Sequence, residues 1–516
     1  SNMYALGLDS GTQGTKALVV EIDSGLVVGR GYSRHETIKN LQPGESEQSP
    51  ETWVQALNQS IREALKNSKI DPADIVCLGV SGQQHGLVAL DNQLKPIRPA
   101  KLWNDTSTVR ETEEIIEAAG GKKAFIDKTG LSLAVGYTAS KILWLKKHEP
   151  ENYSRLFCLL LPHNYLNFYL TGKPHMEFGD ASGTGLMDIR RRCWQRDIIN
   201  LIDPELINKL PPLSASEEPV GYMRNEIARE FGFKQVLVAA GGGDNMMAAI
   251  GTGNVEKGIF TLSLGTSGTI FAYSSSPVLD PEGEIATFCD STGGWLPLVC
   301  TMNVTNATEL FKELLKIDNQ GLEDLVKSAP AGASGLIFLP FLDGERTPVL
   351  PEASAVFFGL TRQNFNTPCL ARAILEGTSL NLNYGFKRLK DIGLQPEEIR
   401  ATGGGARSQS WLQIISTLLE TPVITLREPE SAAFGAALQA IWCYCRQQGQ
   451  KIELREIVSR LVKAGDLAAQ PEAAGIKLYR ELYQKYNSLW TKLSPEFSLH
   501  RQWLNSSLFN RKDTSS

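Results

Sequence analysis

The chain has 516 residues, of which 42% are hydrophobic and 21% are charged, and its net charge is −5. At about 150 residues per domain this length allows two to four domains. The negative charge argues against a nucleic-acid or anionic-membrane partner, since either normally requires a basic face. No apolar segment approaches the ~18 residues of a membrane span, and Ser1–Asn2 before Met3 is typical of an expression tag rather than a signal peptide. We therefore expect a cytoplasmic protein.

The eight cysteines form no C-x-x-C pair, and most lie in apolar stretches. This pattern favours buried free thiols in a reducing compartment over disulfides or a cysteine metal site.

The first predicted elements are two strands joined by a glycine-rich turn. The run YALGLDSG contains Asp9 near its end, and the apolar pattern resumes after the turn Gly11–Thr15. A third strand follows, and then a helix with Ser49 as its predicted N-cap and Pro50 in its first turn. The strand IVCLGVSG comes next. Strands alternating with a helix in this way predict an α/β unit with a mixed sheet.

An internal repeat divides the chain. The segment FTLSLGTSGTIFAYSS has the same strand–G-T-x-G-T–strand pattern as the opening, with Gly265 placed 265 − 11 = 254 residues after Gly11. Two such copies half a chain apart predict two related domains. We place them at residues 3–250 and 251–500, with a polar tail over residues 501–516.

A third glycine-rich loop, ATGGGARSQSW, lies between a predicted strand and a helix. Glycine turns bring backbone N–H groups close to an anion, most often a phosphate. A tight hairpin needs glycine in any case, but three such loops on paired domains favour phosphate binding. The P-loop, Rossmann and protein-kinase motifs are absent from the sequence.

The paired hairpins resemble those of the superfamily that contains sugar kinases, actin, hexokinase and the heat-shock chaperone ATPases. This resemblance implies two related RNase H-like α/β domains around a cleft for ATP and sugar. Asp9 beside a phosphate turn would then face Mg²⁺ through water. The alternative for Asp9 is a simple turn residue.

A second carboxylate suits the acceptor side of a phosphoryl transfer. Asp244 follows the predicted strand VLVAA in the sequence GGGDN. Transfer to an alcohol needs a base that accepts the hydroxyl proton, so we predict Asp244 as that base and Asn245 as a contact to a neighbouring hydroxyl. A plain turn role for Asp244 is the alternative.

At this point the chain resembles the FGGY family of carbohydrate kinases over nearly its whole length. GYTASKILWLKKH fits one family signature, and AVFFGLTRQNFNTPCLARAILE fits the other except at Cys369. Within the family, GQQHG, KLWND, DASGTGLMD, GGGDN and FLDGERTP are similar to the segments of xylulokinases. The chain departs from those enzymes at Asn164, where an acidic residue is usual.

The resemblance implies three sets of site residues. The predicted sugar contacts are Gln84, His85, Trp103, Asp244 and Asn245. The predicted ATP contacts are Gly11, Thr12, Gln13, Thr15, Lys16, Gly265, Thr266, Ser267, Gly404, Gly405 and Gln409. The predicted Mg²⁺ contacts, through water, are Asp9 and Asp244.

The expected function is therefore ATP-dependent phosphorylation of the 5-hydroxyl of D-xylulose, with a small sugar as the partner and Mg²⁺ as the cofactor. D-ribulose or another ketose or polyol is the enzymatic alternative, and Asn164 is where the sugar preference could differ. A nucleotide-dependent binding protein, like a chaperone ATPase domain, is the alternative of another class. Both a monomer and a homodimer are compatible with the sequence.

Overall fold

The computed structural model describes residues 2–506, 508 and 509. These residues form two compact units. Unit 1 comprises the described residues within Ser1–Lys257, Tyr273–Pro297 and Glu430–Lys463, and unit 2 those within Gly258–Ala272, Leu298–Pro429 and Ala464–Ser516. Neither unit is continuous in the chain, and the predicted linear division at 250/251 stays a prediction.

The strands and helices are short on average and alternate along the chain. The strands are β1 Tyr4–Ser10, β2 Gly14–Glu21, β3 Val27–Arg34, β4 Glu47–Gln48, β5 Ile75–Gly82, β6 Val88–Leu90, β7 Ala100–Lys101, β8 Cys158–Leu160, β9 Met176–Glu177, β10 Met187–Asp188, β11 Cys193–Trp194, β12 Leu213–Ser214, β13 Gly221–Tyr222, β14 Leu237–Val238, β15 Gly242–Gly243, β16 Ile259–Leu264, β17 Gly268–Ala272, β18 Ala286–Cys289, β19 Trp295–Thr301, β20 Ile337–Leu339, β21 Val356–Phe358, β22 Glu398–Thr402, β23 Val423–Leu426 and β24 Ala464–Ala469. The helices are α1 Pro50–Ser68, α2 Val109–Ala118, α3 Lys122–Thr129, α4 Thr138–His148, α5 Pro150–Ser154, α6 Pro162–Thr171, α7 Phe178–Ala181, α8 Arg196–Ile202, α9 Asn225–Phe231, α10 Asp244–Gly251, α11 Thr305–Leu315, α12 Asn319–Lys327, α13 Thr367–Asp391, α14 Gln409–Leu418, α15 Ser431–Gln447, α16 Leu454–Leu461 and α17 Ala473–Leu504.

The sheet of unit 1 has the strand order β13-β14-β5-β1-β2-β3, with β15 beside the end of β5. Strands β1, β2 and β3 form an antiparallel meander, whereas β5 runs parallel to β1 and β14 parallel to β5. The mixed α/β sheet predicted from the sequence is therefore present.

Helix α1 covers one face of this sheet. Trp53, Leu57 and Ile61 lie on the buried side of the helix and belong to the same core cluster as the apolar residues of β1. Each such side chain contributes on the order of 1.5–3 kcal/mol when buried. Pro50 occupies the first turn as predicted, but the capping prediction for Ser49 was only half right. Ser49 is the N-cap residue, yet its side chain makes no capping hydrogen bond, and its carbonyl oxygen accepts from the N–H of Thr52 instead.

Helix α15 packs on the same sheet at backbone-contact distance. A Cβ atom added to Gly7 of β1 would lie 2.0 Å from the carbonyl oxygen of Ala433, and one added to Gly79 of β5 would lie 2.2 Å from that of Ala436. The small residues of this helix therefore allow the close approach that the sequence predicted.

The sheet of unit 2 includes the order β19-β17-β16-β22-β23-β24. Strands β16, β17 and β19 are antiparallel neighbours, and β22 runs parallel to β16. This is the same arrangement as β1, β2, β3 and β5 in unit 1. The sequence repeat therefore corresponds to a repeated fold.

Three further predictions concern the chain as a whole. Among the described residues no helix is long and apolar enough to cross a membrane. None of the eight cysteines, all of which lie in the described part of the chain, forms a disulfide; six are buried, Cys300 is half-buried and Cys193 is exposed. The predicted polar tail is helical up to Leu504, and its residues 507 and 510–516 lie outside the described part of the chain.

Candidate active site

Three parallel strand ends meet at one edge of the sheet in unit 1. Ser81 of β5 pairs with Asp9 of β1 on one side and with Gly242 of β15 on the other. The segments that leave these strands therefore start side by side. They carry the first glycine turn after β1, Gln84 after β5, and Asp244, which opens helix α10.

The carboxylates of Asp9 and Asp244 lie in this edge with little to neutralise them. Burial, together with the charges of Asp9 and Asp180, raises the pKa of Asp244 to about 7. Burial also raises the pKa of Asp9 to about 6, against the opposing effect of a 3.0 Å hydrogen bond from the Ser81 hydroxyl. Asp244 is thus poised to take up a proton near neutral pH, as a general base requires.

Gln84 and Asn245, both predicted sugar contacts, lie side by side on the segments that follow β5 and β15, which we call the predicted acceptor side. The Asn245 side-chain amide donates to Gln84 Oε1 at 2.8 Å. Gln84 Nε2 is buried and has no hydrogen-bond partner among the described residues. A buried donor without a partner is costly, so this amide nitrogen is a ready contact for a ligand oxygen.

His85 follows with a left-handed backbone, at φ 70°. Its Nδ1–H donates to the Gly183 carbonyl oxygen at 2.7 Å, and its ring stacks on Tyr137 at 4.3 Å between centroids. These contacts hold the ring in one orientation and assign the proton to Nδ1.

The first glycine turn is tied to the acceptor side through Thr12. The Thr12 hydroxyl donates to Gln83 Oε1 at 3.3 Å and accepts from the indole N–H of Trp103 at 2.9 Å. The Gln48 amide donates to the Thr12 carbonyl oxygen at 2.6 Å. Trp103, predicted as a wall of the sugar site, is 45% exposed and lies directly against this turn.

The other residues of the turn differ in what they can offer. Gln13 is exposed at the tip, and the N–H of Gly11 donates to the Gly14 carbonyl oxygen at 3.0 Å. Thr15 is fully buried, with its hydroxyl 2.9 Å from His35 Nε2. Its side chain therefore faces the interior.

Lys16 is the one cation of this turn region. It forms an ion pair with Glu430 at 2.7 Å, in which both side chains are about four-tenths exposed. Because the pair is exposed, it adds little stability. It does hold the ammonium group on the strand position opposite Asp9.

Unit 2 contains the remaining predicted nucleotide contacts. Thr266 and Ser267 are exposed at the β16–β17 turn, where the Gly265 N–H donates to the Ser267 carbonyl oxygen at 3.1 Å. The N–H of Thr305, at the start of α11, donates to the Gly265 carbonyl oxygen at 3.0 Å. The backbone of Gly265 is therefore held by one hydrogen bond within the turn and by one from α11.

The third glycine loop packs against this turn. A Cβ atom on Gly405 would lie 2.9 Å from the Cβ of Leu264, the residue before Gly265. Gly404 has open space around it, and Gln409 begins α14 with its amide donating to the Ala468 carbonyl oxygen at 2.9 Å. The structure thus brings these predicted contacts together within unit 2.

A buried cluster that the sequence did not predict lies beneath the acceptor side. His163, Glu177 and Asp180 are at most 1% exposed, and His163 Nδ1 is 2.6 Å from Asp180 Oδ2. The trio has the composition of a metal site. Glu177 accepts the N–H groups of Gly179 and Asp180, whereas His163 and Asp180 are hydrogen-bonded to each other. We call this pair the relay.

Two more unpredicted residues hold the backbone that precedes Asp244. Gln439, fully buried on α15, accepts from the Gly241 N–H at 2.8 Å and donates to the Gly241 carbonyl oxygen at 3.2 Å. The Asn167 amide donates to the Ala240 carbonyl oxygen at 2.9 Å. A buried glutamine inside an apolar helical run was the signal available in the sequence.

Asn164, the departure noted in the sequence, is fully buried. Its Oδ1 accepts from the Leu161 N–H at 3.3 Å at the start of α6, and its Nδ2 lies 3.1 Å from His163 Nε2. Its contact with the acceptor side is therefore made through His163.

Comparisons with known proteins bear on what this arrangement does. Residues 4–251 match the model of the FGGY family of carbohydrate kinases, N-terminal domain, and residues 260–444 match that of the C-terminal domain. The chain is 43% identical over 491 residues to a xylulose kinase of Haemophilus influenzae, which covers 94% of this chain and 98% of that protein.

Two solved structures are similar over nearly their whole length. A xyloylose kinase from Brucella ovis has a TM-score of 0.87 at 32% identity, covering 95% of this chain and 99% of that one. A gluconate kinase from Lactobacillus acidophilus has a TM-score of 0.88 at 25% identity, covering 97% and 100%. The fold is therefore shared by kinases that act on different sugars.

Proposed function

We propose, because the chain belongs to the FGGY family of carbohydrate kinases, that it transfers the γ-phosphoryl group of ATP to the 5-hydroxyl of D-xylulose. Family membership makes it an ATP-dependent sugar kinase with the two-domain α/β fold of that family. It also sets aside the alternative of a chaperone-like ATPase domain. The choice of sugar and the roles of single residues are the proposal.

The observation that carries the proposal is the set of groups at the three strand ends. Asp244 has a pKa raised to about 7 and stands beside an amide wall in which Gln84 Nε2 has no partner. A sugar hydroxyl that donates to Asp244 would lose its proton to it as the bond from its oxygen to the γ-phosphorus forms, while the bond from the γ-phosphorus to the β-phosphate oxygen breaks and ADP leaves. Gln84 and Asn245 would bind neighbouring hydroxyls and orient the acceptor.

Asp9 and Asp244 also fit a hard divalent cation. Both supply carboxylate oxygens, the ligands that Mg²⁺ prefers, and both have pKa values raised by burial. Mg²⁺ bound there, directly or through water, would supply positive charge to phosphate oxygens. Thr12 and Gln13 of the first glycine turn, and Thr266 and Ser267 of the second, are the proposed phosphate contacts. Gly404, Gly405 and Gln409 are the proposed adenosine contacts.

D-xylulose is favoured over other acceptors by the likeness to xylulose kinases along the chain. D-xylulose and D-ribulose share the reacting hydroxyl and differ in orientation at C3. A site built to bind a hydroxyl rejects a misplaced one, because its buried polar groups are then left unpaired. We also propose a cytoplasmic location, where ATP and free thiols are both maintained.

A coupled ADP-release assay over pentuloses, polyols and aldonates tests the choice of sugar. We expect kcat/KM for D-xylulose to exceed that for D-ribulose by about tenfold or more, equivalent to about 1.4 kcal/mol of transition-state binding. An equal or inverted ratio would remove D-xylulose as the substrate. Activity confined to gluconate or glycerol would do the same and leave the kinase family intact.

A further inference from the structure

The unpredicted relay of His163 and Asp180 lies in contact with both acceptor-side segments. His163 fits against two glycines, one at the end of β5 and one just before β15. A Cβ atom added to Gly82, at the end of β5, would lie 2.8 Å from the Cβ of His163. A Cβ atom added to Gly241 would lie 3.1 Å from its Cδ2. The imidazole thus packs against both segments at the place where β5 and β15 pair.

Asp180 lies against Gly243, the residue directly before Asp244. A Cβ atom added to Gly243 would lie 3.0 Å from Asp180 Oδ1 and 2.7 Å from the Cγ of Gln84. Asp180 Oδ1 is buried and has no hydrogen-bond partner among the described residues, as is true of Gln84 Nε2. The hydrogen bond from His163 to the other oxygen, Asp180 Oδ2, orients the carboxylate. Oδ1 is therefore directed at the backbone just before Asp244.

The direction of that bond follows from the chemistry of the two groups. A carboxylate can only accept hydrogen bonds, so Nδ1 of His163 carries the proton and donates it to Asp180 Oδ2. Glu177 Oε1 is 3.5 Å from the opposite ring nitrogen, and its carboxylate is held by backbone N–H groups of α7. Glu177 therefore fixes the side of the His163 ring that faces away from Asp180.

We infer that His163 and Asp180 are positioning residues for the acceptor site, with Asp180 holding Gly243 and Gln84 in the register that places Asp244 and the amide wall against the sugar. This inference rests on the proposed sugar kinase activity. Both residues are at most 1% exposed. Their effect is exerted through Gly82, Gly241 and Gly243, where the missing side chains leave the space that His163 and Asp180 occupy.

Asp180→Asn tests the inference with little change of shape. The variant keeps an acceptor for His163 but replaces a carboxylate oxygen beneath Gly243 by an amide. We expect the KM for the best ketose to rise and kcat to fall, so that kcat/KM drops by about tenfold or more, while the KM for ATP stays within about twofold. Simple destabilisation would lower the amount of active enzyme and leave the ketose KM unchanged.

Asp188→Asn is the matched control. Asp188 is a second buried carboxylate of unit 1, 6% exposed and paired with Arg190 at 3.2 Å. The same change there should leave both KM values within about twofold. If Asp180→Asn behaves like Asp188→Asn, or raises the two KM values equally, the positioning role is wrong.

Two variants of His163 separate the hydrogen bond from the packing. His163→Asn places an amide N–H near the position of Nδ1, whereas His163→Leu fills similar space without a donor. The asparagine variant should keep a ketose KM several-fold closer to wild type than the leucine variant does. Equal defects in the two variants would show that only volume matters at this position.

A substrate-independent measurement keeps this inference apart from the proposed function. The chain has only six histidines, so selective ¹⁵N labelling resolves them individually. We expect a slowly exchanging, far-downfield Nδ1–H signal that disappears in His163→Leu and shifts in Asp180→Asn. Presence of that signal with no kinase activity on any sugar would refute the proposed function alone. Its absence from the wild-type protein would refute the relay.

Discussion

Asp244 is the residue on which the proposed chemistry most depends. It is the first residue of α10 and directly follows β15. Strand β15 pairs with β5, the strand that leads to Gln84. We expect Asp244→Ala to lower kcat by about 10²–10⁴-fold, the usual effect of removing a general base. ATP affinity, measured by nucleotide titration, should change little. Near-normal turnover by the folded variant would exclude Asp244 from the mechanism.

The raised pKa of Asp244 has a consequence for stability. A carboxyl group in an unfolded chain has a pKa of about 3.9, whereas burial raises the pKa of Asp244 to about 7 in the folded protein. The ionised group therefore opposes folding above about pH 7, and this penalty is lost as the pH falls toward the unfolded value. In metal-free buffer we expect Asp244→Asn to melt above wild type at pH 8, with a difference that shrinks toward pH 5.

Asp203, a carboxylate whose pKa is lowered rather than raised, provides the control. Burial acts to raise the pKa of Asp203, but hydrogen bonds from the Glu205 N–H and the Tyr153 hydroxyl outweigh it, and the pKa is lowered. Asp203→Asn should therefore melt below wild type at pH 8. A melting temperature of Asp244→Asn that is unaffected by pH would contradict the shift at Asp244.

Asp9 provides a third test at this scale. If Asp9 faces Mg²⁺, Asp9→Asn halves the negative charge available to the ion at the two carboxylates. We expect the Mg²⁺ concentration for half-maximal rate to rise several-fold and kcat to fall. A titration of rate against Mg²⁺ at fixed ATP measures both. Superimposable curves for variant and wild type would leave Asp9 as a turn residue.

At the scale of elements, helix α15 connects the sheet to the segment that carries Asp244. Gln439 from this helix binds the backbone of Gly241, and Gly435 packs against α10 so closely that an added Cβ would lie 1.7 Å from the Met247 carbonyl oxygen. The acceptor-side geometry thus depends on a helix that lies about 190 residues later in the chain.

We expect Gly435→Ala to destabilise unit 1 by about 1–3 kcal/mol or more, because a methyl group there must displace backbone atoms. Thermal unfolding followed by circular dichroism measures the effect. Gly385→Ala is the control, since Gly385 also lies within a helix but its nearest contact is a Val299 methyl carbon at 3.0 Å. There the gain in helix propensity offsets the crowding. Equal melting temperatures for the two variants would contradict the close packing of α15.

At the scale of the whole molecule, binding of either substrate should stabilise the folded chain. A ligand that binds only the folded protein adds about 2.7 kcal/mol at 100 times its Kd. We expect a non-hydrolysable ATP analogue with Mg²⁺, and D-xylulose separately, to raise the melting temperature in a dye-binding assay. D-ribulose at the same concentration should raise it less. A polyanion such as heparin should have no effect, given the net charge of −5.

Much of this protein was determined by local sequence. Short segments of sequence were enough to predict each glycine turn, the positions of Asp9 and Asp244 after buried strands, and the repeat at an offset of 254 residues. Strand periodicity and glycine turns are local properties. The same reading predicted the mixed sheet and the close-packing helix α15. The resemblance to the FGGY family added Gln84 as a predicted sugar contact, and Gln84 proves to be hydrogen-bonded to Asn245.

Only the tertiary structure decided which residues support that site. His163, Asp180 and Gln439 lie on separate helices. Only Gln439, a polar residue in an apolar helical run, has a local sequence signal. Their roles arise from burial and from contacts with Gly82, Gly241 and Gly243 across long stretches of chain. The tertiary structure also placed Glu430–Lys463 with the N-terminal part of the chain. A linear sequence pattern does not encode such contacts, because long-range packing is set by the shape of the whole folded core.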